Sequence, residues 1–297
     1  WPVDAFEEHD FRLARMPHEV VKYFEDYGFE PELIGVDTER HGRDPFSIQV
    51  SHVCGTGLMV LEEDREAMET LANVLSMRIH YGTELTMHNA EADLEPVLRH
   101  LRPRGIKEFK YRDSMVELYH LGSFLRLGLK IAARRVLGRR RQSWDEVVGG
   151  ASRSALIAWL WEAGGVAESW RTETLRFHKK TGKSIKPEVV KHVAEAEIRH
   201  LLTHTSRSAE YESWKKVREF GWAESEWFGR LEQGVGRPMP IKGIGNCELA
   251  DAVQYGCQDA SDHLELALAL ERLRREAEAG WAVCEEDRDE LEPARAI

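Results

Sequence analysis

The chain is poor in the features that would place it outside ordinary globular proteins. Its 297 residues include only four cysteines, Cys54, Cys247, Cys257 and Cys284, far apart and without a C-x-x-C pair. That usage excludes a disulfide framework and reads as buried thiols of a reducing compartment. Long apolar runs are missing too. A stretch such as 156-161 (LIAWLW) falls far short of the roughly 18 residues a membrane helix needs. No apolar leader segment is expected, and the sequence shows no internal repeat and no low-complexity tract. The chain opens Trp1-Pro2 without an initiator Met, so a trimmed or partial chain is expected, and secretion is not. Finally, positive charge is short: 41 Lys plus Arg stand against 52 Asp plus Glu, a formal net charge of −11. Taken whole, that balance argues against a polyanionic partner, because phosphate binding needs clustered Lys and Arg.

What is present is patterned. Residues 1-100 carry 8 basic and 21 acidic residues, residues 101-240 carry 27 and 17, and residues 241-297 carry 6 and 14. The middle of the chain is therefore basic between two acidic ends. Seven of the nine tryptophans (Trp144, Trp159, Trp161, Trp170, Trp214, Trp222 and Trp227) lie in that basic middle.

Hydrophobic periodicity organises the chain. Residues 1-30 read as a helical lead-in, with helical spacing over 18-28. Segment 33-37 (LIGVD) reads as a buried strand ending in acid, and 46-53 with 57-61 as a hairpin around glycine. A helix over 64-79, a strand at 85-88, a helix over 91-101 and a short strand at 108-112 follow. The pattern predicts a mixed α/β sheet flanked by helices. From 114 onward it is helical: 115-126, 128-138, 153-163, 187-205 and 209-220, then a Gly- and Pro-rich linker at 234-245 and a long helix over 246-279. The predicted organisation is a core of 31-149 and 241-283, interrupted by a basic, Trp-rich helical insertion at 150-240, with a frayed acidic tail at 284-297.

Three segments place carboxylates where core elements end. Asp37 and Glu39 are two apart on a strand, so both side chains point the same way. In 88-93 (HNAEAD), Asp93 opens a helix after a strand. Tyr255 and Asp259, i and i+4 on the closing helix, share one face. Carboxylates gathered together repel and stay partly protonated unless cations neutralise them. All-oxygen ligands select Mg²⁺ or Mn²⁺ over Zn²⁺. Two such ions, roughly 3.5–4 Å apart, stabilise the attacking and leaving oxygens of a phosphodiester displacement.

In this order and spacing, D-x-E (Asp37, Glu39), N-x-x-x-D (Asn89, Asp93) and Y-x-x-x-D (Tyr255, Asp259) resemble the three exonuclease motifs of the DEDD superfamily. The tyrosine marks the subgroup that includes the proofreading domain of family A (polymerase I-like) DNA polymerases, phage types among them, and ribonuclease D. Gln49 in 46-50, Asp113-Ser114-Met115 and 129-138 (LKIAARRVLG) resemble further parts of that pattern. The likeness covers 31-148 and 246-275. It implies a ribonuclease H-like mixed sheet flanked by helices, with a large helical insertion before the last motif helix.

It also implies a 3′→5′ exonuclease that hydrolyses the terminal phosphodiester of single-stranded or frayed DNA ends and releases 5′-mononucleotides. Asp37, Glu39, Asp93 and Asp259 would hold two divalent ions, Mg²⁺ or Mn²⁺, with Asp37 bridging them. Glu39 and Tyr255 would orient the attacking water, and Thr38 and Asn89 would position the substrate end. The implied setting is the cytoplasm of a bacterial or phage-infected cell, beside a DNA polymerase module or another replication protein. After Glu39 the chain reads Arg40-His41-Gly42-Arg43, where family members carry an apolar wedge.

Two other readings stay open: a ribonuclease D-like exoribonuclease, and a non-catalytic nucleic-acid-binding or polymerase-docking module. In the insertion, the Trp residues read as core of a small bundle. Arg139, Arg140 and Arg141, with Lys179-Lys180 and Lys215-Lys216, are the candidate phosphate contacts. His200 and His204, at i and i+4, lack the Glu of H-E-x-x-H and read as an ordinary helix face. The glycines of 234-245 do not form a nucleotide-binding loop.

Overall fold

The computed structural model describes residues 9-28, 32-41, 44-121, 128-181, 226-241 and 243-291. The chain divides by contact into two units. Unit one is Trp1–Ser143 with Leu249–Ile297, and unit two is Trp144–Glu248. The interruption thus opens six residues before the predicted insertion start at 150 and closes eight after its predicted end at 240.

Unit one is built on a six-stranded sheet: β1 (Asp10–Ala14), β2 (Leu33–His41), β3 (Asp44–Ser51), β4 (Thr56–Leu61), β5 (Glu84–Met87) and β6 (Tyr111–Asp113). The strand order is β1-β4-β3-β2-β5-β6. β2, β3 and β4 form an antiparallel meander, and β5 and β6 extend it parallel to β2. This is the ribonuclease H-like arrangement, with β1 added parallel to β4 at the edge. The helical lead-in expected for 1-30 is corrected accordingly. α1 (Pro17–Tyr27) matches the 18-28 periodicity, but a strand precedes it. Phe11 and Leu13 alternate with polar neighbours and pack against Met59, Leu61, Val253 and Cys257.

The sheet is covered on both faces, which explains its apolar strands. Along β4, Leu58 and Val60 enter one core with α1 and α2 (Arg65–His80), while Met59 and Leu61 enter the other. Period-2 alternation sends these side chains to opposite faces, so β4 is buried throughout. α3 (Leu94–Leu101), which packs against α2, follows β5. The second face receives the closing helix, α8 (Leu249–Leu291), backed by α4 (Ser114–His120) and α5 (Leu129–Ala132). α5 runs on through a π turn, Ala133–Leu137, that ends at Gly138 with φ +73.

α8 sits directly on the sheet because glycines remove the side chains between them. A Cβ at Gly35 of β2 would collide with the Ala260 carbonyl and Leu264 backbone of α8, and one at Gly57 of β4 would collide with Cys257. Gly256 of α8 leaves room for the Gln49 amide in the same way. Close approach of this kind is what glycine permits. It fixes the height of Asp259 above β2. The acidic tail expected from 284 is helical as far as Leu291.

Unit two contains α6 (Gly150–Thr181) and α7 (Glu226–Val235), which pack together. Trp159, only 1% exposed, is its core, and its indole N–H donates to the Arg237 carbonyl at 3.1 Å. Trp161, two residues on, is 67% exposed, so the Trp-as-core expectation fails at that position. The helices expected at 187-205 and 209-220, the His200/His204 pair, Lys215-Lys216 and the side chains of Lys179, Lys180, Trp170, Trp214, Trp222 and Trp227 lie outside the described residues. Cys54 and Cys257 are free thiols, and the Cys247 Sγ lies near the Val147 carbonyl.

Candidate active site

Residues two apart on β2 share a face. Ile34 and Val36 enter the core under α1 and α2, so Gly35, Asp37 and Glu39 point to α8. Gly35 admits the helix; two and four residues on, the same face presents two carboxylates. Asp259, one residue before the Ala260 carbonyl that seats on Gly35, completes the group. One carboxylate oxygen each from Asp37, Glu39 and Asp259 lie within 4.8 Å of one another. The structure therefore brings together the first and third predicted motifs, which are more than 200 residues apart in the chain.

This cluster is short of counter-charge. The Asp37 Oδ2 atom is buried without a hydrogen-bond partner. Burial, then the charges of Glu39 and Asp93, pushes the Asp37 carboxyl well above the ordinary range. Burial lifts Glu39 to about 7, with Asp93 adding to the rise and Lys130 opposing it. Beneath Asp37 lies His263, one helical turn on from Asp259. Its Nδ1–H donates to the Val36 carbonyl at 2.6 Å, and Nε2 stands 3.9 Å from Asp37 Oδ1. Burial holds this imidazole down to about 3. It is neutral at physiological pH, so it orients the floor of the site without neutralising it.

Asp93 stands beside the cluster. It occupies the N-cap position of α3 but does not cap the helix. Its Oδ1 accepts from the Thr38 amide at 3.1 Å and hydroxyl at 2.6 Å. Burial raises its carboxyl to about 6 against those hydrogen bonds. The Thr38 hydroxyl and amide are committed to Asp93, which locks the second motif to β2.

Asn89 is exposed and holds the only positive φ, 67, of any non-glycine described residue. The loop is pinned by Asp113, whose carboxylate accepts from the Asn89 amide at 3.1 Å, the Ala90 amide at 2.9 Å and, as N-cap of α4, the Met115 amide at 2.9 Å. Asx residues tolerate the left-handed region best among non-glycines. The sequence likeness at Asp113 therefore corresponds to a visible structural task.

Tyr255 lies one turn before Asp259 on α8 and is 8% exposed. Over its ring, 4.5 Å from the centroid, sits the Lys130 ammonium, which also contacts Asp259 Oδ1. Lys130 comes from α5 and was not singled out by sequence. A lone lysine in a basic helix carries no signal, and its partner lies 129 residues away.

The arginine run divides between acids of α8 and an open cavity. Arg139 pairs with Glu265 at 2.5 Å. Arg141 places Nε and Nη2 on the fully buried Asp262 at 2.9 to 3.2 Å. Both staple the segment after Gly138 to α8. An i, i+2 pair of arginines and an i, i+3 pair of acids was the available clue. Arg140, between them, is exposed. With Lys130, Gln142, Tyr255 and Gln258 it lines a cavity of about 160 Å³ next to the cluster.

No protein-family model matches the sequence, and no curated protein matches it either. Among solved structures, the chain is similar to Trypanosoma brucei RNase D, at 14% identity over 48% of this chain and 53% of that one, with a TM-score of 0.40. The complex of that enzyme with RNA U12 gives 12% identity, 47% and 51% coverage and a TM-score of 0.39. Its GMP complex gives 13%, 48% and 46%, and 0.38. The chain spans about half the length of these structures. Among the described residues no helix is long and apolar enough to cross a membrane.

Proposed function

We propose that the protein is a metal-dependent 3′→5′ exonuclease of the DEDD type, tyrosine subgroup, that removes nucleotides from single-stranded or frayed DNA ends. The observation that carries the reading is the convergence of Asp37, Glu39 and Asp259, with a buried Asp37 oxygen left without a partner. The donor set is all oxygen and strongly anionic, which suits Mg²⁺ or Mn²⁺. Asp37, Glu39 and Asp259 would hold the ions, with Asp93 at the margin. When bound, divalent ions supply a water of lowered pKa and neutralise charge developing on phosphate oxygens.

The chain's own residues do the positioning. Glu39 and Tyr255 orient the water whose oxygen bonds to the terminal phosphorus, and the 3′ oxygen of the penultimate nucleotide leaves with a proton from solvent. Thr38 and Asp113 keep Asp93 and the 89-90 backbone in register with β2. His263, held by its Nδ1–H on the Val36 carbonyl, fixes the floor beneath Asp37. DNA is favoured over RNA because unit two interrupts the core before the third motif, whereas the resemblance to ribonuclease D implies helical modules after it.

The test uses the intact chain on 3′-labelled single-stranded DNA and RNA in Mg²⁺, Mn²⁺ or EDTA, beside an Asp37→Ala, Glu39→Ala double variant. DNA shortened only with metal and only by the unaltered protein supports the proposal. Activity that survives EDTA or the double variant refutes it. Faster degradation of RNA moves the substrate to the ribonuclease D-like reading.

A further inference from the structure

Of the charged groups near the carboxylate cluster, one is built differently from the rest. The Lys130 stem leaves α5, and its ammonium lies against Asp259 Oδ1 while the Tyr255 ring faces it at 4.5 Å. The side chain is 21% exposed and that of Asp259 only 7%. The charges that act on the ammonium are Asp262, Asp37 and Glu39, with Arg141 opposing them. Arg141 is itself held by Asp262, and Arg139 by Glu265. Lys130 is therefore the cation that the fold supplies to Asp259, while the neighbouring acids on α8 have guanidinium partners of their own.

We propose that Lys130 is a resident counter-cation that occupies the divalent-ion site in the metal-free protein and leaves Asp259 when the ion enters. The inference rests on the reading of Asp37, Glu39 and Asp259 as metal ligands. Its physical ground is competition. An ammonium in contact with Asp259 and a divalent ion on the same carboxylate place like charges a few ångströms apart in a largely buried site, where they repel strongly.

The ammonium also has somewhere to go. The cavity beside it is lined by Arg140, Arg141, Gln142, Gln254, Tyr255 and Gln258; Arg141 is neutralised there by Asp262, and the amide and phenol oxygens are acceptors for the ammonium. Lysine suits this exchange better than arginine: it is a compact point charge on a flexible stem and forms no planar fork with the carboxylate. The device keeps the cluster from standing uncompensated before metal arrives. It makes affinity for the ion weaker than the bare carboxylates would give. Lys130 is a positioning residue in this scheme: its effect on hydrolysis passes through the metal.

The experiment is calorimetric titration of the intact chain with Mn²⁺, no nucleic acid present, for the unaltered protein, Lys130→Met and Lys130→Arg, with thermal unfolding of each with and without Mn²⁺. Lys130→Met keeps the apolar stem and removes the charge. It should bind Mn²⁺ about tenfold more tightly, the low end of coupling between close charge pairs. Its melting temperature should be lower than that of the unaltered protein without metal and should rise more when Mn²⁺ is added. Lys130→Arg, which keeps the charge, should show no gain in affinity. Equal or weaker Mn²⁺ binding by Lys130→Met overturns the counter-cation proposal while leaving the metal site standing. Absence of Mn²⁺ binding by the unaltered protein and Lys130→Met alike overturns the metal reading itself, and the inference with it. If Lys130→Met does not fold, Lys130→Gln carries the same comparison.

Discussion

Asp259 and Asp262 stand three residues apart on α8 and are almost equally buried, yet they are treated in opposite ways. Asp262 is fully enclosed and meets Arg141 through two guanidinium nitrogens. Asp259 faces Asp37 and Glu39 and, among the described residues, is paired with the single ammonium of Lys130. The first is a closed ion pair, whose charge is accounted for within the fold. The second belongs to a group of three carboxylates with one ammonium in contact, and Asp37 Oδ2 has no partner at all. One helix thus carries a structural acid and a site acid, and counter-charge, not burial, tells them apart. Clustered carboxylates held short of positive charge mark functional sites more often than structural ones.

Four predictions probe that contrast. The largest effect concerns activity. Asp259→Asn should lower kcat on single-stranded DNA by on the order of 10³-fold, the equivalent of several kcal/mol of lost charge stabilisation. Circular dichroism should show the fold intact. A loss below tenfold would mean Asp259 is no more than packing.

Next comes stability, where the ranking should reverse. Arg141→Met leaves Asp262 buried with no cation, holding only the Gln258 amide, and should destabilise unit one by roughly 3 kcal/mol in chemical denaturation. Asp259→Asn relieves repulsion and should leave the metal-free protein as stable as before. Equal destabilisation by the two would erase the distinction between the acids.

The third effect is linked to pH. Burial raises Glu39 to about 7 and Asp93 to about 6, so both favour the proton-bound form in the fold. A raised carboxyl makes the native state hold more protons than the unfolded chain. These groups therefore take stability away from the metal-free protein as pH climbs from their ordinary range through about 7. Metal requires the deprotonated form. Mn²⁺ affinity should accordingly rise from about pH 5.5 and level off above about pH 7.5. Flat affinity across that window would contradict the ligand assignment. At about 100 times its dissociation constant the ion should add close to ~2.7 kcal/mol of stability.

The smallest effect belongs to Arg140, exposed at the cavity wall between two committed arginines. Arg140→Ala should raise KM about threefold at moderate salt, with the gap closing as salt increases. A change in kcat instead would place Arg140 in the chemistry.

The sheet was legible because its strands obey simple periodicities. β2, β3, β4 and β5 carry β-branched or alternating apolar residues between glycines and acids, and they form where expected. β1 was missed although Phe11 and Leu13 alternate, because five residues give too short a pattern to outweigh the helix that follows. The carboxylates of the first and third motifs were singled out by the resemblance of their order and spacing to the DEDD pattern, and Gly35 and Gly57 let the two elements approach. The fourth motif carboxylate, Asp93, shows the limit. Sequence places it near the site, but its hydrogen bonds to Thr38, which set it at the margin, depend on a contact 55 residues away in the chain. The same holds for Lys130 and for the pairing of Arg139 and Arg141. Charge runs are visible in a sequence; their partners are chosen by packing.

The net charge of −11 takes on a different meaning in this light. Part of the acidic excess is three carboxylates gathered at one point, which in the proposed function metal would neutralise beside the substrate phosphate. The most direct measurement is product analysis on a 5′-labelled single-stranded DNA in Mn²⁺. The account predicts a ladder that shortens one nucleotide at a time from the 3′ end, with 5′-mononucleotides released and, over the same time, essentially undegraded substrate with the Asp259→Asn variant. Internal cuts, shortening from the 5′ end, or an unchanged ladder with the variant would contradict it.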